Sequence, residues 1–162
     1  MKKKLKSILP ALCAVLLLSL FVWRLCPRSL ESISGLDFDQ AISLEAIIRT
    51  FDTSVLNGRA IDGEDATPGG AHYDNLLAQF KEVRARPSLT NFLRPWLLSG
   101  FHWTGPVTQL MGFVSCGDSA SMFTLTDRGE LIVGRYLYFI TDEEQFQALW
   151  QYVSTYGAKD YS

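Results

Sequence analysis

The stretch from residue 107 to residue 140 most constrains the fold, because four apolar, strand-like runs follow one another there with very short links. The links leave room only for antiparallel neighbours. One link, TDRGE, places Gly129 where a short hairpin turn needs a left-handed residue. The stretch therefore predicts a four-stranded antiparallel meander, with strands at residues 107–116, 119–126, 130–133 and 135–140.

The C-terminal segment TDEEQFQALWQYVSTYG predicts a helix that packs across this sheet. Thr141 is the expected N-cap, and Glu144, three residues later, completes a capping box. Gly157 is expected to stop the helix. The positions that form one apolar stripe are Phe146, Leu149, Trp150 and Val153.

The sequence pattern is less clear in the first half of the folded part. Residues 41–53 fit a strand or a buried helix, and their Ile and Thr content favours the strand. Residues 57–70 hold four glycines and three acids, which predicts a surface loop. A second helix is expected over residues 72–82, ended by Pro87, with its apolar stripe at Tyr73, Leu76, Leu77, Phe80 and Val83.

The order strand, helix, meander, helix predicts an α+β domain, with an antiparallel sheet and helices packed on one face. The N-terminus adds a separate element. Residues 7–23 carry no charge, and as a helix they would reach about 25 Å, the short end of what spans a bilayer. The expected organisation is a basic cytoplasmic tail (1–6), a transmembrane signal anchor (7–25), a tether (26–40) and an extracytoplasmic α+β domain (41–158).

Two other fates of the N-terminus stay open on the sequence. A cleaved signal peptide needs small residues just after the apolar run, where Trp23, Arg24 and Leu25 stand. Lipidation at Cys26 needs a small residue immediately before it, where Leu25 stands. An uncleaved anchor is therefore the preferred interpretation. Four lysines precede the run and two arginines follow it, which predicts a single-pass protein with its N-terminus in the cytoplasm.

The charge of the residues that follow the anchor limits the partners that they can bind. All 17 acidic residues and nine of the 15 basic residues follow Arg28, which gives this part a formal charge of −8. Such a surface repels nucleic acid, so nucleic acid is not an expected partner. The expected partners are the membrane, through residues 7–25, and a cell-envelope protein or glycan.

Two motifs resemble catalytic signatures. GDSAS, residues 117–121, resembles the nucleophile block of the GDSL esterases, but that family needs a late histidine and none follows His102. His102, Cys116 and Arg128 stand in the order used by sortases, and FVSC resembles their strand-ending cysteine motif. The resemblance implies a Cys116 thiolate nucleophile, a histidine acid and base, and Arg128 at the oxyanion. His102 is closer to the cysteine than in that family, so a buried cysteine and a turn arginine are preferred.

Binding is the interpretation that the remaining features favour. The segment RPWLLSGFHWTGP, residues 94–106, predicts an irregular loop, and its expected contact residues are Trp96, Phe101, His102 and Trp103. The same rings could instead complete the core under a loop. The DGED stretch lacks the spacing of a calcium loop, and no metal or other cofactor is expected.

The blocks VRARPSLTNFL and DEEQFQALWQYV, with the anchor and the meander, make the chain resemble a group of small uncharacterised proteins of Gram-positive gut bacteria. The resemblance implies an N-terminal anchor and one extracytoplasmic α+β domain, and it implies no activity. The function expected from the sequence is a membrane-anchored binding or interaction domain with a sensor, immunity or envelope-accessory role. The alternative is an envelope cysteine enzyme of sortase-like type that uses Cys116.

Overall fold

The computed structural model describes residues 2–51, 56–92 and 107–160. Within these ranges the helices are α1 (Lys2–Leu25), α2 (Leu30–Ser34), α3 (Tyr73–Glu82) and α4 (Glu143–Tyr156). The strands are β1 (Arg28–Ser29), β2 (Ser43–Phe51), β3 (Leu56–Ile61), β4 (Arg84–Pro87), β5 (Val107–Cys116), β6 (Ser119–Thr126), β7 (Glu130–Val133), β8 (Tyr136–Ile140) and β9 (Ala158–Asp160). Short 3-10 turns occur at Phe38–Gln40, Gly63–Ala66 and Leu89–Phe92.

The described strands form one antiparallel sheet in the order β1-β4-β8-β7-β6-β5-β2-β3-β9. Its centre is the predicted meander, β5 to β8. Cys116 pairs with Ser119, so the first hairpin turn is the dipeptide Gly117-Asp118, and Gly117 is left-handed with φ 58°. Gly129 is also left-handed, with φ 72°, as its turn requires. The predicted α+β class with an antiparallel sheet is confirmed.

One face of the sheet carries the core. Leu44, Ala46 and Ile48 of β2 are buried on this face, and they lie opposite Val114, Gly112 and Leu110 of β5. Ile47, whose side chain alternates to the other face, is also buried. Helices α3 and α4 contact each other and both contact β2, so they lie on this face. Their buried residues are Tyr73, Leu76 and Phe80 of α3, and Phe146, Leu149 and Val153 of α4.

A close approach of a ring to the backbone fixes the middle of this core. Gly112 lies opposite Phe123 in the register of β5 and β6. A Cβ on Gly112 would overlap the Phe123 ring. The Phe123 ring in turn meets Phe80 of α3 edge to face, with centroids 4.9 Å apart. The missing side chain at Gly112 therefore makes room for the ring stack that joins the sheet to α3.

The predicted tether, residues 26–40, is wrong for residues 28–40. Strand β1 pairs with β4, and the Leu30 backbone N–H donates to the Val83 carbonyl at 3.0 Å. Leu30 and Phe38 have no exposed surface and belong to the main core. The segment is mostly polar, but its few apolar side chains are enough to bring it into the fold.

The predicted loop at residues 57–70 is also partly wrong. Residues 56–61 form β3, which pairs with β2, and Ala60 and Ile61 are buried. Strands β4 and β9 were not predicted either. Each is four residues or shorter, too short to show an alternating pattern.

The expected N-cap of the last helix is displaced by one residue. Asp142 is the N-cap, and its Oδ1 accepts a hydrogen bond from the Gln145 backbone N–H at 3.1 Å. Thr141 instead extends the ladder, since its backbone N–H donates to the Arg84 carbonyl at 3.0 Å. The negative charge of Asp142 also interacts favourably with the positive, N-terminal end of the helix dipole.

Helix α1 covers the predicted transmembrane segment. Within the described ranges, no helix is both long enough and apolar enough to cross a membrane. The transmembrane part of the predicted fold is therefore not supported by this structure.

Candidate functional site

A cavity of about 190 Å³ opens beside α4, at the end of the sheet where β5 begins and β6 turns into β7. We call it the α4 pocket. The residues that line it are Thr108, Asp127, Phe146, Gln147 and Trp150. The cavity thus has an aromatic side and a polar side, as do sites that bind small polar ligands.

The sheet fixes the polar side of the α4 pocket. The Thr108 backbone N–H donates to Asp127 Oδ2 at 3.1 Å, and the Asp127 backbone N–H donates to the Thr108 carbonyl at 3.0 Å. The Thr108 hydroxyl is also hydrogen-bonded to the Thr50 hydroxyl, with the oxygens 3.3 Å apart. These bonds hold the Asp127 carboxylate against the sheet, so its position is set before a ligand arrives.

Helix α4 supplies the aromatic side. Phe146 is buried, and its ring is tilted by 57° against Trp150, with centroids 5.5 Å apart. Trp150 is half-buried. Gln147 is exposed, and its Nε2 donates to Glu143 Oε1 at 2.7 Å. That bond does not use the amide carbonyl of Gln147, which can accept a hydrogen bond.

Of the residues that the structure describes, those that line the α4 pocket include no histidine, cysteine or serine. Asp127 and Thr108 are of types that can act as nucleophiles, but Asp127 Oδ2 accepts from the Thr108 backbone N–H and the Thr108 hydroxyl is bonded to the Thr50 hydroxyl. The site is suited to recognition.

Cys116, the nucleophile of the sortase-like alternative, lies elsewhere. It ends β5 and its Sγ donates to the Asp37 carbonyl at 3.3 Å. Burial, followed by the negative charges of Asp37 and Glu31, raises the pKa of the Cys116 thiol. A catalytic thiolate needs the opposite shift, which comes from nearby positive charge.

The structure does not bring Cys116 and Arg128 together. Cys116 pairs with Ser119 at one end of the β5–β6 hairpin. Arg128 follows Thr126, which pairs with Gln109 at the other end. The two pairs are seven residue steps apart along β5, which corresponds to about 23 Å. His102 lies outside the described residues.

Cys116 is expected to react more slowly than Cys26 with a thiol reagent such as iodoacetamide at pH 7. Cys26 is exposed, whereas Cys116 is partly buried and its thiolate forms only at higher pH. Mass spectrometry of proteolytic peptides after timed labelling measures both rates. The Cys116 rate should rise with pH and approach the Cys26 rate in urea. Faster native labelling at Cys116 would support the enzyme alternative.

The predicted contact loop cannot be compared with this geometry. Trp96, Phe101, His102 and Trp103 all lie outside the described residues, and their binding role stays a prediction.

Sequence reasoning did not identify the α4 pocket. It placed Phe146 and Trp150 on the apolar stripe of a helix, and it placed Asp127 in a turn. These residues meet only because the β5–β6 register brings Thr108 beside the turn that α4 covers. The sequence signal was weak: a polar residue, Gln147, next to an aromatic stripe.

Neither a metal centre among the described residues nor a match to a known protein indicates a chemistry for this site. In the part of the chain that the structure describes, no group of three or more histidine, cysteine or acidic side chains could hold a metal ion. Comparisons with protein-family models, with curated proteins and with solved structures found no match to this chain.

Proposed function

We propose that the protein is a membrane-anchored extracytoplasmic binding domain, held at the membrane by α1 and able to present the α4 pocket to a ligand. A sensor, immunity or envelope-accessory role fits this arrangement. The resemblance to anchored proteins of Gram-positive gut bacteria is consistent with it and stays a prediction.

One observation carries the proposal: the exposed apolar surface of α1. Every residue from 12 to 22 is exposed, and 11 consecutive residues make about three helical turns. The helix is therefore exposed on all sides. Only Ser19 in this stretch is polar. The large apolar residues are 45–67% exposed, namely Leu12, Val15, Leu16, Leu17, Leu18, Leu20, Phe21 and Val22.

A helix that is apolar all round is stable only when something apolar surrounds it. The part of the domain that the structure describes leaves residues 12–22 exposed. A bilayer provides an apolar cover, and four lysines precede the apolar run in the sequence, as is common at the cytoplasmic end of a spanning helix. The same lysines support a cytoplasmic N-terminus.

Fractionation of cells that produce the full-length chain tests the anchor. We expect the chain to stay in the membrane pellet after a sodium carbonate wash. The double variant Leu17→Lys/Leu18→Lys should move to the supernatant, because each lysine near the centre of a bilayer helix costs about 2.5–3.5 kcal/mol. The matched control is Ile42→Lys/Leu89→Lys, which changes two residues that are 53% and 59% exposed outside α1 and should leave the chain in the pellet.

Protease added outside intact cells or protoplasts tests the orientation, and intact mass tests processing. We expect the domain to be digested while a short N-terminal fragment survives in the membrane. Wild-type chain in the carbonate supernatant, a domain that resists the protease, or a mass that shows cleavage near Arg28 would each contradict the anchored arrangement.

A further inference from the structure

We propose that the α4 pocket binds one neutral sugar ring of a glycan. The inference builds on the proposed binding function and names the class of ligand. It concerns described residues only and does not involve the contact loop predicted from the sequence.

The volume of the cavity limits the size of the ligand. The cavity holds about 190 Å³, below the roughly 300–1,000 Å³ of pockets that enclose drug-sized molecules. An engineered cavity of about 150 Å³ holds benzene, so the α4 pocket has the volume of a single six-membered ring. A longer ligand would place one ring in the pocket and the rest in solvent.

The aromatic side suits the apolar face of a sugar. A pyranose ring presents a face of C–H groups, whose positive hydrogens are attracted to the negative face of an aromatic ring. Trp150 is half-buried, so part of its indole surface is available to the cavity. Phe146 is buried behind it and contacts it, which holds the indole in a fixed orientation.

The polar side suits the hydroxyl groups of the same ring. A sugar hydroxyl both donates and accepts hydrogen bonds. The Asp127 carboxylate accepts, and the Gln147 amide can donate its second N–H and accept at its carbonyl. The Thr108 hydroxyl, which is bonded to that of Thr50, can accept a further hydrogen bond. Because the Thr108 backbone N–H already holds Asp127 Oδ2 at 3.1 Å, little ordering entropy is lost when a hydroxyl binds the carboxylate.

Charge and geometry argue against other small ligands. Asp127 lines the cavity, and Glu143 is bound to Gln147 of the lining, so an anion would be repelled. A quaternary ammonium ion is held by several exposed aromatic faces. Here Phe146 is only 3% exposed, so among the described lining residues Trp150 offers the accessible ring. One ring does not form the cage that such a cation needs.

Saturation-transfer NMR on the full-length chain tests this ligand class. The chain is placed in nanodiscs, because detergents with sugar headgroups would compete, and the probes are glucose, N-acetylglucosamine and tetramethylammonium. We expect saturation of the sugar ring protons, with a dissociation constant in the millimolar range for a single ring, and no saturation of tetramethylammonium. Adding 0.5 M NaCl should change the sugar signal less than twofold, since the ligand is neutral.

Variants on one helix locate the site. Trp150→Ala should weaken sugar binding at least tenfold, and Gln147→Ala about three- to tenfold. The matched controls are Tyr156→Ala and Gln151→Ala, which remove an exposed ring and an exposed amide of α4 outside the cavity lining and should change binding less than twofold. If Trp150→Ala fails to fold, Gln147→Ala against Gln151→Ala still decides the question.

Three results would overturn the proposal: no saturation of either sugar, equal losses in pocket and control variants, or tetramethylammonium binding that Asp127→Asn removes. The last result would make the pocket a cation site. The outcome is independent of the anchor. A chain that stays in the membrane pellet but binds no sugar loses only the ligand class, whereas a chain that binds sugar but stays in the carbonate supernatant loses only the anchor.

Discussion

Phe123→Ala is expected to lower the free energy of unfolding by about 3–5 kcal/mol, and Gly112→Ala by about 1–3 kcal/mol. The double variant should lose clearly less than the sum of the two. Phe123 is 1% exposed and stacks edge to face on Phe80, so its removal leaves a cavity between the sheet and α3. The added Cβ at position 112 overlaps the Phe123 ring when that ring is present.

The two changes are coupled because they concern one volume. In the double variant the methyl group added at position 112 occupies part of the cavity left by the missing ring, and the overlap is gone. Residues in direct contact commonly show coupling energies of about 0.5–3 kcal/mol. Urea unfolding of the four proteins, followed by far-ultraviolet circular dichroism, measures the cycle. Strict additivity would show that Gly112 has no part in seating the ring.

Phe38→Ala is expected to cost about 3–5 kcal/mol of unfolding free energy, even though residue 38 lies in a segment whose sequence predicts a tether. Phe38 has no exposed surface and belongs to the main core. The Glu31 side chain also holds this segment, because its Oε1 accepts a hydrogen bond from the Phe38 backbone N–H at 2.9 Å. Truncating the ring leaves a cavity that this tight connection does not let the chain close.

The matched control is Phe21→Ala, which removes the same ring from α1, where it is 45% exposed. The control should change the unfolding free energy of the domain by less than about 0.5 kcal/mol. Urea unfolding of wild type and both variants, in the same nanodiscs, makes the comparison. Equal small losses in the two variants would restore the tether interpretation of residues 26–40.

The sequence predicted best where the signal was local. The bounds of β5, β6 and β7 agree with the predicted runs, and those of β8 differ by one residue. Their apolar runs are separated by turn residues, so each strand can be recognised from its own composition. The helix over Tyr73–Glu82 and the helix over Glu143–Tyr156 were predicted for the same reason, since one apolar stripe repeats along each.

Prediction from the sequence failed for strands whose formation depends on a pairing partner. Strands β1, β4 and β9 are two to four residues long, and each exists because a neighbouring strand offers it backbone hydrogen bonds. The same is true of β3, which looked like a loop because it begins a glycine-rich stretch. No local pattern in segments as short as β1, β4 and β9 distinguishes a strand from a loop.

Taken alone, the amino-acid sequence determined the α+β class, the central meander and the two long helices of the domain, because alternation, helical spacing and turn residues act over a few neighbours. Only the tertiary structure decided that residues 28–40 join the core, that Gly112 makes room for Phe123, and that Asp127 meets Trp150 beside α4. Those features depend on which distant residues become neighbours, and that is set by strand register and by the packing of helices on the sheet.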